Sequence, residues 1–227
     1  MPVVVSFVSQ KGGVGKSTLA RALAAVAGHA GVRLLLADLD PQQRTVSKWQ
    51  KLRAQNALAP AIEVAGFRTV DEALAAGAKR DLVILDTPGS VTRATLDIAR
   101  KSHLVVQPTG PGLDDLEPAI LLFHELTGAG IPRERLVLVL CRTATKGEEE
   151  EARRYIAESG YDLLRSSIPE RVGYRAAHNR GLGLTETHER ALNQRADEVL
   201  SELLKRVSAA IDAMKRTTRK TGKEDVA

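Results

Sequence analysis

VVVSFVSQKGGVGKST, residues 3–18, decides the fold. It reads as a buried strand, a glycine-rich loop and the start of a helix. The run from Val3 to Ser9 is almost continuously apolar, as suits a strand covered on both faces. Gly12, Gly13 and Gly15 let the chain curl so that successive N–H groups point inward at an anion. The next segment, STLARALAAVAGHAG, is rich in Ala and Leu and therefore helical, and its positive dipole end faces the same anion. Lys16 adds a mobile cation for the outer phosphates, and Ser17 a hydroxyl for Mg²⁺. With Val14 and Thr18, these residues are the parts of a nucleoside triphosphate cradle.

Outward from this loop, apolar runs alternate with helical stretches. The runs are residues 3–9, 32–38, 61–66, 81–87, 103–109, 135–141 and 162–168. Several are continuous rather than alternating, which suits strands buried on both faces of a parallel sheet. Between them, stretches such as TVDEALAAGA and EEEEARRYIAESG have helical composition and periodicity. The alternation predicts an α/β fold, a single doubly wound and mostly parallel sheet flanked by helices. One domain is expected over residues 1–216, followed by a basic, disordered tail over 217–227.

Composition narrows the class. The 227 residues are 43% hydrophobic, ample for one large core. Cys141 stands alone, so neither a disulfide framework nor a cysteine metal cluster is expected. The first apolar run leads directly into the phosphate loop, so it reads as a strand and not as a targeting peptide. No run approaches the roughly 18 apolar residues of a membrane span. A cytoplasmic protein is predicted. The net charge of +5 and a pI near 9.5 suit an acidic polymer as partner, while only 3% aromatic residues leaves little for base stacking.

Two carboxylate motifs fall where the nucleotide site needs them. LLLADLDPQQ, residues 34–43, ends the second strand with Asp38 and Asp40, two apart and on one face if the strand continues. LVILDTPG, residues 82–89, ends a buried strand with Asp86. A carboxylate there is expensive unless it is paired or beside a metal.

The phosphate loop departs from G-x-x-x-x-G-K-[ST], because Gln10 stands where the first glycine belongs. K-G-G-x-G-K-[ST]-T, with Lys11 as an added lysine, resembles the deviant Walker A ATPases of the ParA/MinD family. The resemblance covers essentially the whole chain and is nearest to short ParA-type partition ATPases without an N-terminal helix-turn-helix domain. It implies that Lys11 reaches across a nucleotide-sandwich homodimer to the partner's phosphates. It implies that Asp40 positions the attacking water, that Asp38 helps organise Mg²⁺, and that Asp86 holds it with Ser17. Gly89 departs from the pattern, where many relatives carry proline. Residues 108–116 resemble a segment near the nucleotide and the dimer face, and 141–147 and 168–177 resemble segments flanking the adenine, which implies nucleotide contacts for Pro108 and Arg142.

The resemblance implies an ATPase, slow without a partner, that binds ATP and Mg²⁺, dimerises and coats nucleoid DNA without sequence preference. A ParB-like or other cargo-binding partner would stimulate hydrolysis and so drive partition of a plasmid, chromosome or other cargo. Two alternatives stay open: a MinD-like membrane-associated positioning ATPase, and a VirC-type DNA-transfer accessory ATPase. The MinD-like reading needs a helix that grips lipid. In residues 196–216, Val199, Leu203, Val207, Ala210, Ile211 and Met214 do recur at helical spacing. With no Phe or Trp among them, and with Glu198, Glu202 and Asp212 nearby, this face is expected to pack on the sheet. No stable membrane association is predicted. The expected DNA contacts are Arg171, Arg175, Arg195, Lys215, Arg216, Arg219 and Lys220, whose charges can neutralise phosphates without reading sequence. Trp49 is expected to pack the helix after the Asp38–Asp40 motif.

Overall fold

A computed structural model describes residues 1–89 and 93–224, with side chains over 1–89 and 94–212. An eight-stranded sheet forms the centre: β1 (Val3–Phe7), β2 (Leu34–Asp38), β3 (Val64–Gly66), β4 (Leu82–Asp86), β5 (Leu104–Thr109), β6 (Leu136–Thr143), β7 (Asp162–Leu163) and β8 (Ile168–Pro169). The order is β3-β2-β4-β1-β5-β6-β7, with β8 also on β6, and every pairing is parallel. The first strand therefore lies between β4 and β5, which opens a crevice at its carboxyl end.

The helices are α1 (Lys16–His29), α2 (Thr45–Gln55), α3 (Val70–Ala76), α4 (Arg93–Lys101), α5 (Leu113–Gly128), α6 (Lys146–Ser159), α7 (Val172–His178) and α8 (Arg190–Glu224). Strand residues alternate between two cores. Val3, Val5 and Phe7 pack with α1 and α8, whereas Val4 and Val8 pack with α4 and α5. Val199, Leu203 and Val207 are buried in the first core and Ile211 packs against it, so the apolar face of α8 covers the sheet as expected. Trp49 is buried in the same core and donates its indole N–H to Leu182 O at 3.0 Å.

Two boundaries differ from the sequence reading. Residues 162–168 do not form one strand. Glu202 accepts the N–H groups of Arg165 and Ser166, and Arg153 donates to Leu164 O and Arg165 O. Side chains thus take the backbone groups that a ladder would have used, leaving β7 and β8 as two-residue strands. Helix α8 also continues through residue 216, where the tail was expected to begin, as far as Glu224. Residues 196–221 contain no Gly or Pro, and Lys, Arg and Ala favour helix, so nothing stops it earlier. Residues 225–227, and the side chains of Lys215, Arg216, Arg219 and Lys220, lie outside the described residues.

Candidate nucleotide site

The glycine-rich loop follows β1 directly. Gly13 has φ 78° and Gly15 φ 116°, backbone states that a side chain would strain. Gly15 caps α1 without any side-chain partner, so the first N–H groups of that helix stay available to a ligand. A Cβ at Gly15 would stand 3.2 Å from Cys141 Sγ and 3.6 Å from Pro108 Cβ. Pro108 and Cys141 therefore brace the loop from behind. Pro108 is buried in β5 and is absent from the linings of the two cavities beside the loop.

A polar cavity of about 170 Å³ opens over the loop, lined by Gly12, Gly13, Gly15, Lys16, Ser17 and Thr18 from one side. Arg21, Asp40, Gln43, Thr45, Thr87 and Gly89 close it from the other. Lys16 is only 7% exposed, and its ammonium donates to Lys11 O at 2.9 Å. Burial lowers its pKa, while Asp86 and Asp40 pull it back up. Thr87 Oγ1 donates to Phe7 O at 2.8 Å and ties the end of β4 to the end of β1.

Asp86 pairs in register with Phe7 on one side and Asp38 on the other, so two carboxylates end adjacent strands. Asp86 is 1% exposed, and its Oδ1 has no hydrogen-bond partner. Burial pushes its pKa from 3.8 up to about 7, against the pull of a Ser17 hydrogen bond and the charges of Arg21 and Lys16. A buried, partnerless carboxylate oxygen within reach of Ser17 is what a cation held through a few protein oxygens requires. Mg²⁺ usually keeps several waters and takes phosphate oxygens, so the donors fit it without an all-protein cage.

Asp38 is used differently. Its Oδ1 accepts Asp40 N at 3.1 Å, and its Oδ2 accepts Ser47 N at 3.1 Å and Ser47 Oγ at 2.7 Å. One oxygen thus holds the turn that carries Asp40 and the other the start of α2. The strand ends at Asp38, so Asp40 lies in the following turn and not on the strand face. There its Oδ1 accepts the N–H groups of Gln42 (3.1 Å) and Gln43 (2.9 Å). This turn points Asp40 at the phosphate cavity.

Lys11 is 40% exposed along its side chain and pairs with Asp115 Oδ1 at 3.2 Å, in the first turn of α5. Gly89 packs on the loop so closely that a Cβ there would meet Gly12 Cα at 3.0 Å and Gly12 N at 3.1 Å.

A second cavity, about 270 Å³, adjoins Gly13, Gly15 and Thr18. Its walls include Arg142, Ile168, Pro169, Tyr174 and His178. Arg142 adopts φ 61° and donates to Gly13 O at 3.4 Å, which places it against the loop. Arg171 and Arg175 also border this cavity, and Arg142 and Arg175 share the Glu170 carboxylate. Arg195 pairs with Glu149 and Glu198. These arginines are exposed but partly neutralised.

Arg21 and His178 escaped the sequence reading. Arg21 is 8% exposed and donates Nε–H to Ser17 O at 2.9 Å. Burial lowers its pKa to about 10. His178 lies 3.5 Å from it, and burial with the neighbouring guanidinium lowers the imidazole to about 3, so it is neutral. An arginine inside an Ala/Leu helix, five residues after Lys16, was the available signal for Arg21.

The loop, the strand-end carboxylates and the crevice at β1 define a P-loop nucleotide-binding protein. The chain belongs to the CobQ/CobB/MinD/ParA nucleotide-binding domain family, whose pattern matches residues 5–185. It is 30% identical over 186 residues to maintenance of carboxysome distribution protein A from Gloeobacter kilaueensis, covering 82% of this chain and 85% of that one. It is also 30% identical over 200 residues to the chromosome-partitioning ATPase Soj of Thermus thermophilus, covering 74% and 78%. Its fold matches MinD in the Aquifex aeolicus MinC:MinD complex, with TM-score 0.71 at 15% identity over 89% of this chain and 96% of that one. A plasmid partition protein of Borrelia burgdorferi bound to AMPPNP superposes with TM-score 0.69 at 16% identity, covering 90% and 99%. Among the described residues, no helix is long and apolar enough to cross a membrane.

Proposed function

We propose that this protein is a ParA-type ATPase that binds ATP with Mg²⁺, forms a face-to-face homodimer and positions cargo along DNA. The observation that carries the reading is the partnerless Asp86 Oδ1, buried beside Ser17 and Lys16 under a loop of free amides. The loop N–H groups and Lys16 would hold the phosphates. Ser17 and Asp86 would hold Mg²⁺, with Asp38 acting from behind by fixing the turn that carries Asp40. Bound there, Mg²⁺ would neutralise charge on the phosphate oxygens. Asp40, braced by the Gln42 and Gln43 amides, would orient the attacking water. Lys11 would leave Asp115 to engage the partner's nucleotide.

The names of the relatives, carboxysome distribution and chromosome partitioning, favour a positioning role, which the protein would exert on the nucleoid with a partner that stimulates hydrolysis. Burial of the apolar face of α8 in the core favours DNA over lipid as the surface. Arg171, Arg175, Arg195 and the basic end of α8 are the proposed DNA contacts. The test compares the parent with Asp40→Ala. The variant should bind ATP and Mg²⁺ with parental affinity yet lose turnover, and the parent with ATP should bind random duplex DNA better than it does with ADP. Parental turnover in Asp40→Ala would refute the assignment of the water-positioning group. Binding of ATP-loaded parent to liposomes in place of DNA would favour the MinD-like reading.

A further inference from the structure

Beyond the carboxyl ends of β2 and β3 lies a cleft of about 960 Å³ that the nucleotide site does not use. Its walls are the outer face of α2 and the chain leaving β3 from Gly66 to Arg68. Arg44, Lys48 and Lys51 recur along that face, and Arg68 stands across from them. All four are exposed, and none forms an ion pair among the described residues. From Pro41 to Ile62 the sequence contains no Asp or Glu, so no acidic neighbour along α2 offsets them. The carboxylates of the cleft are already engaged by backbone amides. Asp38 holds Asp40 N and Ser47 N, Asp40 holds Gln42 N and Gln43 N, and Glu72 accepts Arg68 N at 2.9 Å. Amide bonds leave these carboxylates charged, but Asp38 is buried and the four exposed cations outnumber the three carboxylates of the lining, so the cleft is cationic on balance.

We propose that this cleft docks an extended, acidic segment of a partner protein. Charge complementarity selects the acidic character. Its form follows from the end of β3, the end strand of the sheet, which pairs only with β2 among the described residues and whose last residue, Gly66, lines the cleft. An end strand offers main-chain groups to an added strand, and a polypeptide can enter a concave site that a convex duplex can only straddle. The position matters because Asp40 borders both this cleft and the phosphate cavity. An occupant touching Arg44 and Lys48 therefore abuts the turn that carries the proposed water-positioning carboxylate. The inference rests on the reading of this protein as an ATPase that works with a partner.

The probe is a fluorescein-labelled ten-residue peptide alternating Glu and Thr, which presents its carboxylates on one face when extended. Its anisotropy is titrated with the full chain, and mant-ATP binding is measured separately on the same samples. The parent should bind the peptide saturably. Lys48→Glu/Lys51→Glu should bind it at least about tenfold more weakly, as reversing two facing charges requires. Lys48→Ala/Lys51→Ala should show a smaller loss, and Lys79→Glu/Arg154→Glu, placed elsewhere on the surface, should stay within about twofold of the parent. All variants should bind mant-ATP as the parent does, since none of these residues lines the phosphate cavity. Absence of saturable peptide binding, or equal loss in the control pair, overturns the proposal. So does a random 16-base-pair duplex that displaces the peptide and loses affinity in the same two variants, because the cleft is then a nucleic-acid site. Failure of the parent to bind mant-ATP overturns the nucleotide reading instead and leaves the peptide result to be read alone.

Discussion

Replacing Asp86 with asparagine should stabilise the nucleotide-free protein and abolish its response to magnesium. The carboxyl is 1% exposed, and burial raises its pKa from 3.8 to about 7 even with Lys16 and Arg21 nearby. Between those two values the folded chain keeps a proton that the unfolded chain releases. The contribution of Asp86 to stability therefore falls as pH rises through this window and levels off above about pH 7. At pH 8 the penalty amounts to roughly 4 kcal/mol, and at pH 5 to about 2 kcal/mol. Asparagine keeps the shape and never ionises, so it should recover most of that difference. For a chain of this size the gain corresponds to roughly 10 °C in melting temperature at pH 8 and about half as much at pH 5. Scanning calorimetry of metal-free and nucleotide-free samples at both pH values reads the effect. Adding MgATP should reverse the order, because only the parent can then use the carboxylate. A variant that melts below the parent at pH 8, or gains equally at both pH values, would refute the view of Asp86 as an uncompensated anion.

Three further outcomes are expected. Lys11→Ala should bind ATP as a monomer but fail to dimerise with a non-hydrolysable analogue, as read by light scattering after size exclusion. Arg53→Ala should lower unfolding free energy by about 3 kcal/mol in urea titrations, because it takes from Glu186 the guanidinium it meets at 2.7 and 2.8 Å and leaves the carbonyls of Ala59, Pro60 and Gly181 without that donor. Gly181→Ala should cost at least about 2 kcal/mol, since φ is 80° and a Cβ would fall 2.4 Å from Arg53 N.

The phosphate loop, the strand alternation and Asp86 were legible because each rests on local chemistry: glycine conformations, continuous apolar runs, and a charge at a strand end. The turn at Asp40 was not. Two residues of separation suggested one strand face, but the Asp40 carboxylate found nearer partners in the Gln42 and Gln43 amides and ended the strand. Residues 162–168 misled for a related reason. Their backbone partners are side chains of Arg153 and Glu202, 11 to 37 residues away, which no local pattern reports. Arg53 illustrates the same limit. It sits in a polar-looking helix, yet it is 1% exposed, bonded to carbonyls at residues 59, 60 and 181. The second cavity beside the loop gathers residues from the glycine-rich loop, β6, β8 and α7, so only the fold could assemble it.

The contact between Gly89 and Gly12 joins the segment after Asp86 to the loop that would grip the phosphates. No side chain stands between them, and a Cβ at position 89 would already be pressed against the Gly12 backbone. Interlocked side chains can absorb a small displacement by changing rotamer, whereas two bare backbones cannot. A single added methyl at position 89 therefore acts as a wedge in this joint. With glycine at 89 the two backbones meet directly, and any side chain there would have to part them by a few tenths of an ångström.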